Sequence, residues 1–188
     1  MSDTLVPTPA VPIPTWTSPP PGATPLQVPT VAGSLLAVAG LAAFGLCAAL
    51  GASALGGVVT AALVPMVSIV GAMVLTGPAL VAAHLFLRPG VATTVPVAAL
   101  GQGLAAAGSV AAGIAPLALF VVATTGLWPV VLALGFALVG VACAAVTVNA
   151  LARATSERPW FVLAWALLAA LVSLRLAIAV GVRSLEVV

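Results

Sequence analysis

The chain has 188 residues, of which 63% are hydrophobic and only 4% are charged, and its formal net charge is +2. Soluble domains carry roughly 25% charged residues, so this composition excludes an ordinary soluble fold and indicates a protein embedded in a membrane. With five arginines and no lysine, the chain also lacks the basic patch that a nucleic-acid-binding domain needs.

The N-terminal segment, residues 1–30, is a proline-rich tail. Proline fixes φ and has no backbone N–H, so helix and sheet are excluded there, and polyproline II or disorder is predicted. The tail also contains apolar residues, including Trp16, and in the alternative interpretation these dock on a partner or on the lipid interface. Nine of the 16 prolines lie in this tail: Pro7, Pro9, Pro12, Pro14, Pro19, Pro20, Pro21, Pro25 and Pro29.

From Val31 the chain is apolar almost to its end, and a spanning helix needs about 20 residues. The pattern therefore predicts an all-α fold, a polytopic transmembrane helical bundle of about five spans. The glycines, prolines and polar residues that interrupt the apolar run allow four to six. The expected transmembrane domain is residues 31–182, followed by a short C-terminal tail, 183–188. The expected spans are residues 31–50, 58–87, 96–124, 129–152 and 160–182.

The second of these spans is long for a single crossing, and Thr76-Gly77-Pro78 interrupts it. Threonine is a common N-cap residue and proline is favoured in the first helical turn, so a new helix could begin at this point. Two interpretations stay open. Residues 78–88 either extend one tilted, kinked helix or form a short helix in the interface, on which His84 and Arg88 would share a face.

Small residues are frequent in every span and predict close helix packing. Lipid supplies no hydrophobic drive between helices, so close backbone approach and dispersion must hold them together. We expect this packing to occur within the bundle, although a dedicated oligomer interface is the alternative. The residues expected at helix or partner contacts are Gly40, Gly45, Gly101, Gly108, Gly135, Gly140 and Trp16.

Arginines and tryptophans mark the ends of the spans and predict the topology. Five spans place three of the arginines on the same side as the tail, and positive residues favour the cytoplasm. The tail is therefore predicted to be cytoplasmic, in a bacterial inner membrane, with Arg175 snorkelling toward the opposite headgroups. Trp165 lies deeper and is expected to pack on a neighbouring helix. The expected anchors are Arg88, Arg153, Arg158, Arg175, Arg183, Trp128 and Trp160.

The sequence contains no recognisable catalytic constellation, so we expect no enzyme. Asp3 is in the tail, and Glu157 and Glu186 flank the fifth span on opposite sides. Cys47 and Cys143 lie in apolar stretches without metal-type spacing, so both are expected to be small buried apolar side chains and no metal site is predicted.

His84 is the only histidine, and it is the one candidate cofactor ligand. Its helical context is compatible with an axial ligand, but a b-type haem generally needs two such ligands, whereas a chlorin needs one. The interpretation that we favour places His84 at the membrane interface beside Arg88, with no cofactor. A haem or chlorin bound through His84 is the alternative.

Several features resemble the Yip1 family of polytopic membrane proteins. They are the proline-rich tail before five closely spaced spans, the Arg88-Pro89-Gly90 junction, the proline at Ile114-Ala115-Pro116, and the short turn over residues 126–129. The resemblance covers about residues 31–182 and implies a non-enzymatic membrane scaffold that binds partners. The chain departs from the eukaryotic relatives in having no tyrosine, because their motifs contain tyrosine.

The leading hypothesis for function is a non-enzymatic accessory subunit or scaffold that packs against other membrane proteins in the lipid bilayer. One alternative is a subunit of a small-molecule transporter or channel, with Gln102 and Asn149 as the most polar residues of its spans. Transporters usually carry ionisable residues within the membrane, and these spans have almost none. The other alternative is the pigment- or haem-binding subunit that uses His84.

Overall fold

The computed structural model describes residues 30–50, 55–88, 92–155 and 160–185. This part of the chain is all-helical and contains no strand. Five helices are long and apolar enough to cross a membrane, so the predicted all-helical fold with five candidate spans is confirmed. The predicted proline-rich tail lies outside the described residues. The helices are α1 (Val31–Ala49), α2 (Leu55–Leu87), α3 (Thr94–Thr125), α4 (Trp128–Thr155) and α5 (Trp160–Leu185).

The helices form because a backbone in lipid must satisfy its own hydrogen bonds, and an apolar helix does so within a single segment. Their ends carry local signals. The Thr30 hydroxyl caps α1 by accepting a hydrogen bond from the Gly33 N–H at 3.2 Å. α3 ends at Gly126, which adopts the left-handed conformation with φ 67° and donates its N–H to the Val122 carbonyl. Glycine suits this position because it has no Cβ to clash.

α2 runs unbroken through Thr76-Gly77-Pro78, so the interfacial-helix alternative for residues 78–88 is excluded. Thr76 is not an N-cap, because its hydroxyl donates to the Ala72 carbonyl at 2.7 Å, one turn earlier in the same helix. Pro78 is likewise a helix-interior residue. With 33 residues, α2 is about 50 Å long. It exceeds the roughly 30 Å of hydrocarbon, so the helix tilts or extends beyond it.

The order of the helices in space differs from their order in the chain. α1 packs against both α2 and α3, α4 packs on the other side of α3, and α5 packs on the other side of α2. The resulting sequence of contacts is α5–α2–α1–α3–α4, and α4 and α5 have few contacts with each other. α4 and α5, although consecutive in the chain, therefore stand at opposite ends of the packing order.

Two buried clusters hold this arrangement together. The first, here called the central cluster, contains residues of α1, α2, α3 and α4 and lies in the middle of the bundle. The second, here called the end cluster, lies where α2 and α4 end and α3 and α5 begin. The central cluster consists of Leu41, Phe44, Ile69, Ala107, Ala111, Ala115, Ala118, Val139 and Cys143. The end cluster consists of Leu80, Ala99, Ala150, Leu151, Phe161, Val162 and Trp165.

Candidate functional site

A cavity of about 330 Å³ lies between α4 and α5, with α2 as its floor. The floor is buried, since Ile69 and Ala72 are almost inaccessible, whereas Val141 and Ala170 at the rim are exposed. The cavity thus opens sideways, toward the lipid. We call it the α4–α5 seam. It is lined by Ile69, Ala72, Met73, Phe136, Ala137, Gly140, Val141, Cys143, Ala144, Trp165, Ala166, Ala169, Ala170 and Ser173.

The seam exists because α4 and α5 are held together at only one end. The end cluster brings Leu151 of α4 against Phe161 and Val162 of α5, close to the connection between the two helices. Beyond that point α4 follows α3 and α5 follows α2, so the two helices separate. Trp165 belongs to the end cluster and also lines the seam, so it marks the closed end of the opening.

Small residues are frequent on both walls of the seam, beside Phe136 and Val141 on α4 and Trp165 on α5. The α4 wall contains Ala137, Gly140 and Ala144, and the α5 wall contains Ala166, Ala169 and Ala170. A Cβ at Gly140 would meet no atom within 4 Å, so the glycine borders open space. Small residues at helical spacing permit the close approach of another helix backbone.

The polar groups of the seam are few and uncharged. The Ser173 side chain is only 8% exposed, and its hydroxyl has no hydrogen-bond partner. The Trp165 Nε1–H donates to the Thr76 carbonyl of α2 at 2.9 Å, which ties α5 to α2. The Cys143 Sγ lies 4.0 Å from the Met73 Sδ. These groups offer hydrogen bonding and dispersion, and the lining supplies no nucleophile–base pair.

The predicted glycine contacts are mostly inside the bundle. A Cβ at Gly40 would collide with the Gly108 backbone, and one at Gly108 would collide with Ala37, so α1 and α3 touch through their backbones. Gly45 is equally close to the Ala62 carbonyl of α2. Such contacts require glycine and bring the helices close enough for dispersion to hold them. The expectation of intramolecular packing therefore fits these glycines.

Some of the remaining glycines touch another helix, and others border open space. Gly135 packs against the Phe44 ring, whereas an added Cβ at Gly140 would meet no atom within 4 Å, so a partner contact at Gly140 stays a prediction. Gly101 is half-buried in α3. Gly103, which was not among the expected contacts, lies against Thr147 and the Cys143 carbonyl of α4.

His84 is fully buried between the helices, in the last turn of α2, and its location near a membrane face stays a prediction. Four helices meet at the end cluster, and the imidazole packs beside it on the Phe161 ring, with 5.9 Å between the ring centroids. Neither ring nitrogen has a hydrogen-bond partner. An axial ligand bond to a haem or chlorin would require the neighbouring side chains to open, and His84 does not line the seam.

The predicted anchors that the structure describes lie at helix ends or on the lipid-facing surface. Arg88 is half-buried at the residue after α2, whereas Arg153 near the end of α4 and Arg175 on α5 are exposed. Trp160 is 74% exposed at the start of α5, and Trp128 is half-buried at the start of α4. Trp165 is buried, in agreement with the expected helix packing. Three predicted residues lie outside the described side chains: Trp16, Arg158 and Arg183.

Comparisons of the chain with models of known protein families, with curated proteins and with solved structures found no match.

Proposed function

We propose that this integral membrane protein is a non-enzymatic accessory subunit or scaffold that packs against another membrane protein through its apolar surface. The observation that carries the proposal is the α4–α5 seam, which is an apolar opening toward the lipid, with walls rich in alanine and without a charged lining residue. Alanine and glycine on both sides of such an opening permit the close approach of another helix backbone. The resemblance to the Yip1 family points to the same class of function.

The bundle interior supports an accessory role better than a transport role. Its helices meet through glycine and alanine backbones, and the buried hydroxyls of Thr76 and Thr147 bond to carbonyls of their own helices. Asn149 is exposed on α4 instead of facing the interior. A polar substrate path needs polar groups that face a common route inside the membrane, and the two hydroxyls of Thr76 and Thr147 are instead bonded within their own helices.

Copurification from native membranes tests the proposal. The tagged chain, extracted in a gentle detergent, is expected to bring down one other membrane protein at a fixed molar ratio. The ratio should persist through a second purification step and should be the same with the tag at either end. A chain that purifies without a stoichiometric partner from its native membrane would contradict the proposal.

Two further measurements address the alternatives. If the chain alone transported a small molecule, proteoliposomes containing it would show flux, and we expect none across a broad substrate panel. If His84 bound a haem or chlorin, the purified protein would absorb in the visible region, and we expect a featureless spectrum there.

A further inference from the structure

His84 is the only histidine of the chain, and it is fully buried in the last turn of α2. Neither of its ring nitrogens has a hydrogen-bond partner. We infer that His84 is a pH-sensitive switch of the end cluster: the cluster is closed while the ring is neutral, and the uptake of a proton by the ring opens it. The inference goes beyond the proposed function, because it concerns the bundle itself and holds with or without a partner protein.

The surroundings of the His84 ring are apolar and closed. The imidazole packs beside the end cluster on the Phe161 ring of α5, with 5.9 Å between the ring centroids. Leu80, one turn earlier in α2, and Val162, the residue after Phe161, are both almost inaccessible. A neutral imidazole can be held in such a site at the cost of its unsatisfied nitrogens. An imidazolium cannot, because a buried charge needs an opposite charge and hydrogen bonds around it.

The described helices provide no opposite charge for a protonated His84. The three acidic residues of the chain, Asp3, Glu157 and Glu186, lie outside the described ranges. α3 contains no ionisable residue, and the cysteine of α4, Cys143, belongs to the central cluster instead of the end cluster. The closed end cluster therefore accommodates the ring only in its neutral form.

The charges on the helices around His84 are all positive. Arg88 follows His84 by one helical turn, and its charge acts on the ring. Like charges repel, so the guanidinium would push an imidazolium out of the closed site. The charged residues of these helices are Arg88 directly after α2, Arg153 on α4, and Arg175 and Arg183 on α5.

Protonation of His84 is therefore coupled to an opening of the end cluster. His84 lies three residues before the end of α2, about 4.5 Å along the helix axis. The half-buried Arg88 follows directly, and an arginine beside a span extends to headgroups and water, so a short displacement brings the ring to water. Phe161 covers the ring and belongs to the contact between α4 and α5. Because α4 and α5 have few other contacts, displacement of Phe161 separates the first turns of α5 from α4.

The direction of the pH effect follows from which form of the cluster binds the proton. A histidine in water has a pKa of about 6.5, so His84 in the open form takes up a proton below that pH, whereas His84 in the closed form stays neutral. The closed cluster thus has its full stability above about pH 6.5 and loses stability as the pH falls. Each pH unit below that value should raise the ratio of open to closed molecules about tenfold.

Hydrogen exchange of the full chain in lipid nanodiscs tests the inference. The backbone amides of residues 164–168 lie in the turns of α5 that contribute to the end cluster, and those of residues 40–46 in α1, which has no residue in that cluster, are the internal control. The protection factor is the intrinsic exchange rate at each pH divided by the observed rate, so it measures the ratio of closed to open molecules. Between about pH 6.5 and about pH 4.5, we expect the protection of residues 164–168 to fall about a hundredfold and that of residues 40–46 to stay constant.

Three substitutions identify the group that titrates. His84→Leu and His84→Gln both remove the ionisable ring, the first with an apolar side chain and the second with a polar one, and both should abolish the fall in protection. Glu157→Gln removes the carboxyl group that is nearest in sequence to the start of α5. A glutamate titrates near pH 4.3, so this variant separates a carboxylate from His84, and we expect the hundredfold fall to persist in it.

Four results would overturn the inference. One is a constant protection factor of residues 164–168 in the wild-type chain, and another is an equal fall with His84→Leu and His84→Gln. Loss of the fall with Glu157→Gln would assign the titration to that carboxyl group. An equal fall in residues 40–46 would show that acid unfolds the whole bundle instead of opening the end cluster. None of these results depends on a partner protein, so copurification tests the proposed function separately.

Discussion

At the scale of single residues, the presence or absence of a Cβ decides how closely helices approach. Gly108 of α3 lies against Ala37 of α1, where an added Cβ would collide with backbone atoms. Backbone atoms cannot rotate away as the end of a side chain can, so one methyl group would have to move a whole helix. Gly113, on the same α3 helix, has open space where its Cβ would be. The two positions therefore allow a glycine at a helix–helix contact to be compared with a glycine beside open space on the same helix.

We predict that Gly108→Ala lowers the free energy of unfolding in detergent by about 1–3 kcal/mol, because it separates α1 and α3 and strains the contacts around them. Gly113→Ala, the control, should be neutral or stabilising by roughly 0.5–1 kcal/mol, because alanine favours the helix more than glycine does. Denaturant titration with a helix-content readout measures both. Equal effects of the two substitutions would show that the α1–α3 contact is not as close as described.

His84 combines a buried ring with two nitrogens that have no partner, which is costly in an apolar interior. We predict that His84→Leu raises the free energy of unfolding by about 1–3 kcal/mol, because it removes unsatisfied polar atoms. His84→Gln, which retains buried polar atoms, should give no such gain. The same titration measures both variants. A loss of stability with His84→Leu would mean that the imidazole has a bonding partner in the membrane, and a simultaneous loss of visible absorbance would identify that partner as a pigment.

At the scale of helices, α5 is attached to α2 by a defined hydrogen bond as well as by packing. The Trp165 indole donates to the Thr76 carbonyl, in the region of α2 where Pro78 removes one backbone donor from the helix. Prolines are tolerated in membrane helices when neighbouring groups stabilise the backbone around them. This attachment keeps α5 on α2 and away from α4, and thereby keeps the seam open.

We predict that Trp165→Phe lowers the free energy of unfolding by about 1 kcal/mol, since it removes the hydrogen bond and part of the ring that packs in the end cluster. Trp160→Phe is the matched control. It should have almost no effect, because Trp160 is 74% exposed at the start of the same helix. If the two substitutions had equal effects, the bond to Thr76 would not be what holds α5 on α2.

The five helices could be predicted from the sequence because residues close to each helix end mark where it stops. Gly126 and the residues around Arg153 interrupt the apolar pattern where α3 and α4 end. The continuity of α2 could not be predicted in the same way, because Thr76-Gly77-Pro78 has the residues of a helix start. The interior of α2 is stabilised there by the bond from Thr76 to Ala72 and by Trp165, which lies on a helix far away in the chain.

The seam and the burial of His84 could not be predicted, for a related reason. Both depend on which helices are neighbours, and helices that are apolar on all sides carry little information about their orientation. Gly140 on α4 and the spacing of Ala166, Ala170 and Ser173 on α5 are small-residue patterns of the seam, but the same pattern occurs on helices that are packed inside the bundle.

At the scale of the whole molecule, the arginines predict how the bundle is oriented. Arg88 follows α2 and Arg153 is close to the end of α4, which is the side where the end cluster lies. Arg175 is on α5, on the lipid-facing surface. Because positive residues favour the cytoplasm, we propose that the end cluster is near the cytoplasmic face and that the N-terminal tail is on the same side.

Cysteine accessibility tests this orientation. In a variant without Cys47 and Cys143, we predict that Thr93→Cys, between α2 and α3, is protected from a membrane-impermeant thiol reagent added outside intact cells. Leu127→Cys, between α3 and α4, should be labelled under the same conditions. Both positions are exposed in the structure, so burial does not explain a difference. Labelling of Thr93→Cys but not of Leu127→Cys would reverse the proposed orientation.

We propose that this bundle packs against a second membrane protein, because α4 and α5 leave an apolar seam open to the lipid. Native mass measurement after gentle extraction from the original membrane tests it most directly. We expect a particle that contains the 18.2 kDa chain together with a different membrane polypeptide at a fixed ratio. A stable, fully helical 18.2 kDa monomer as the only species would contradict it.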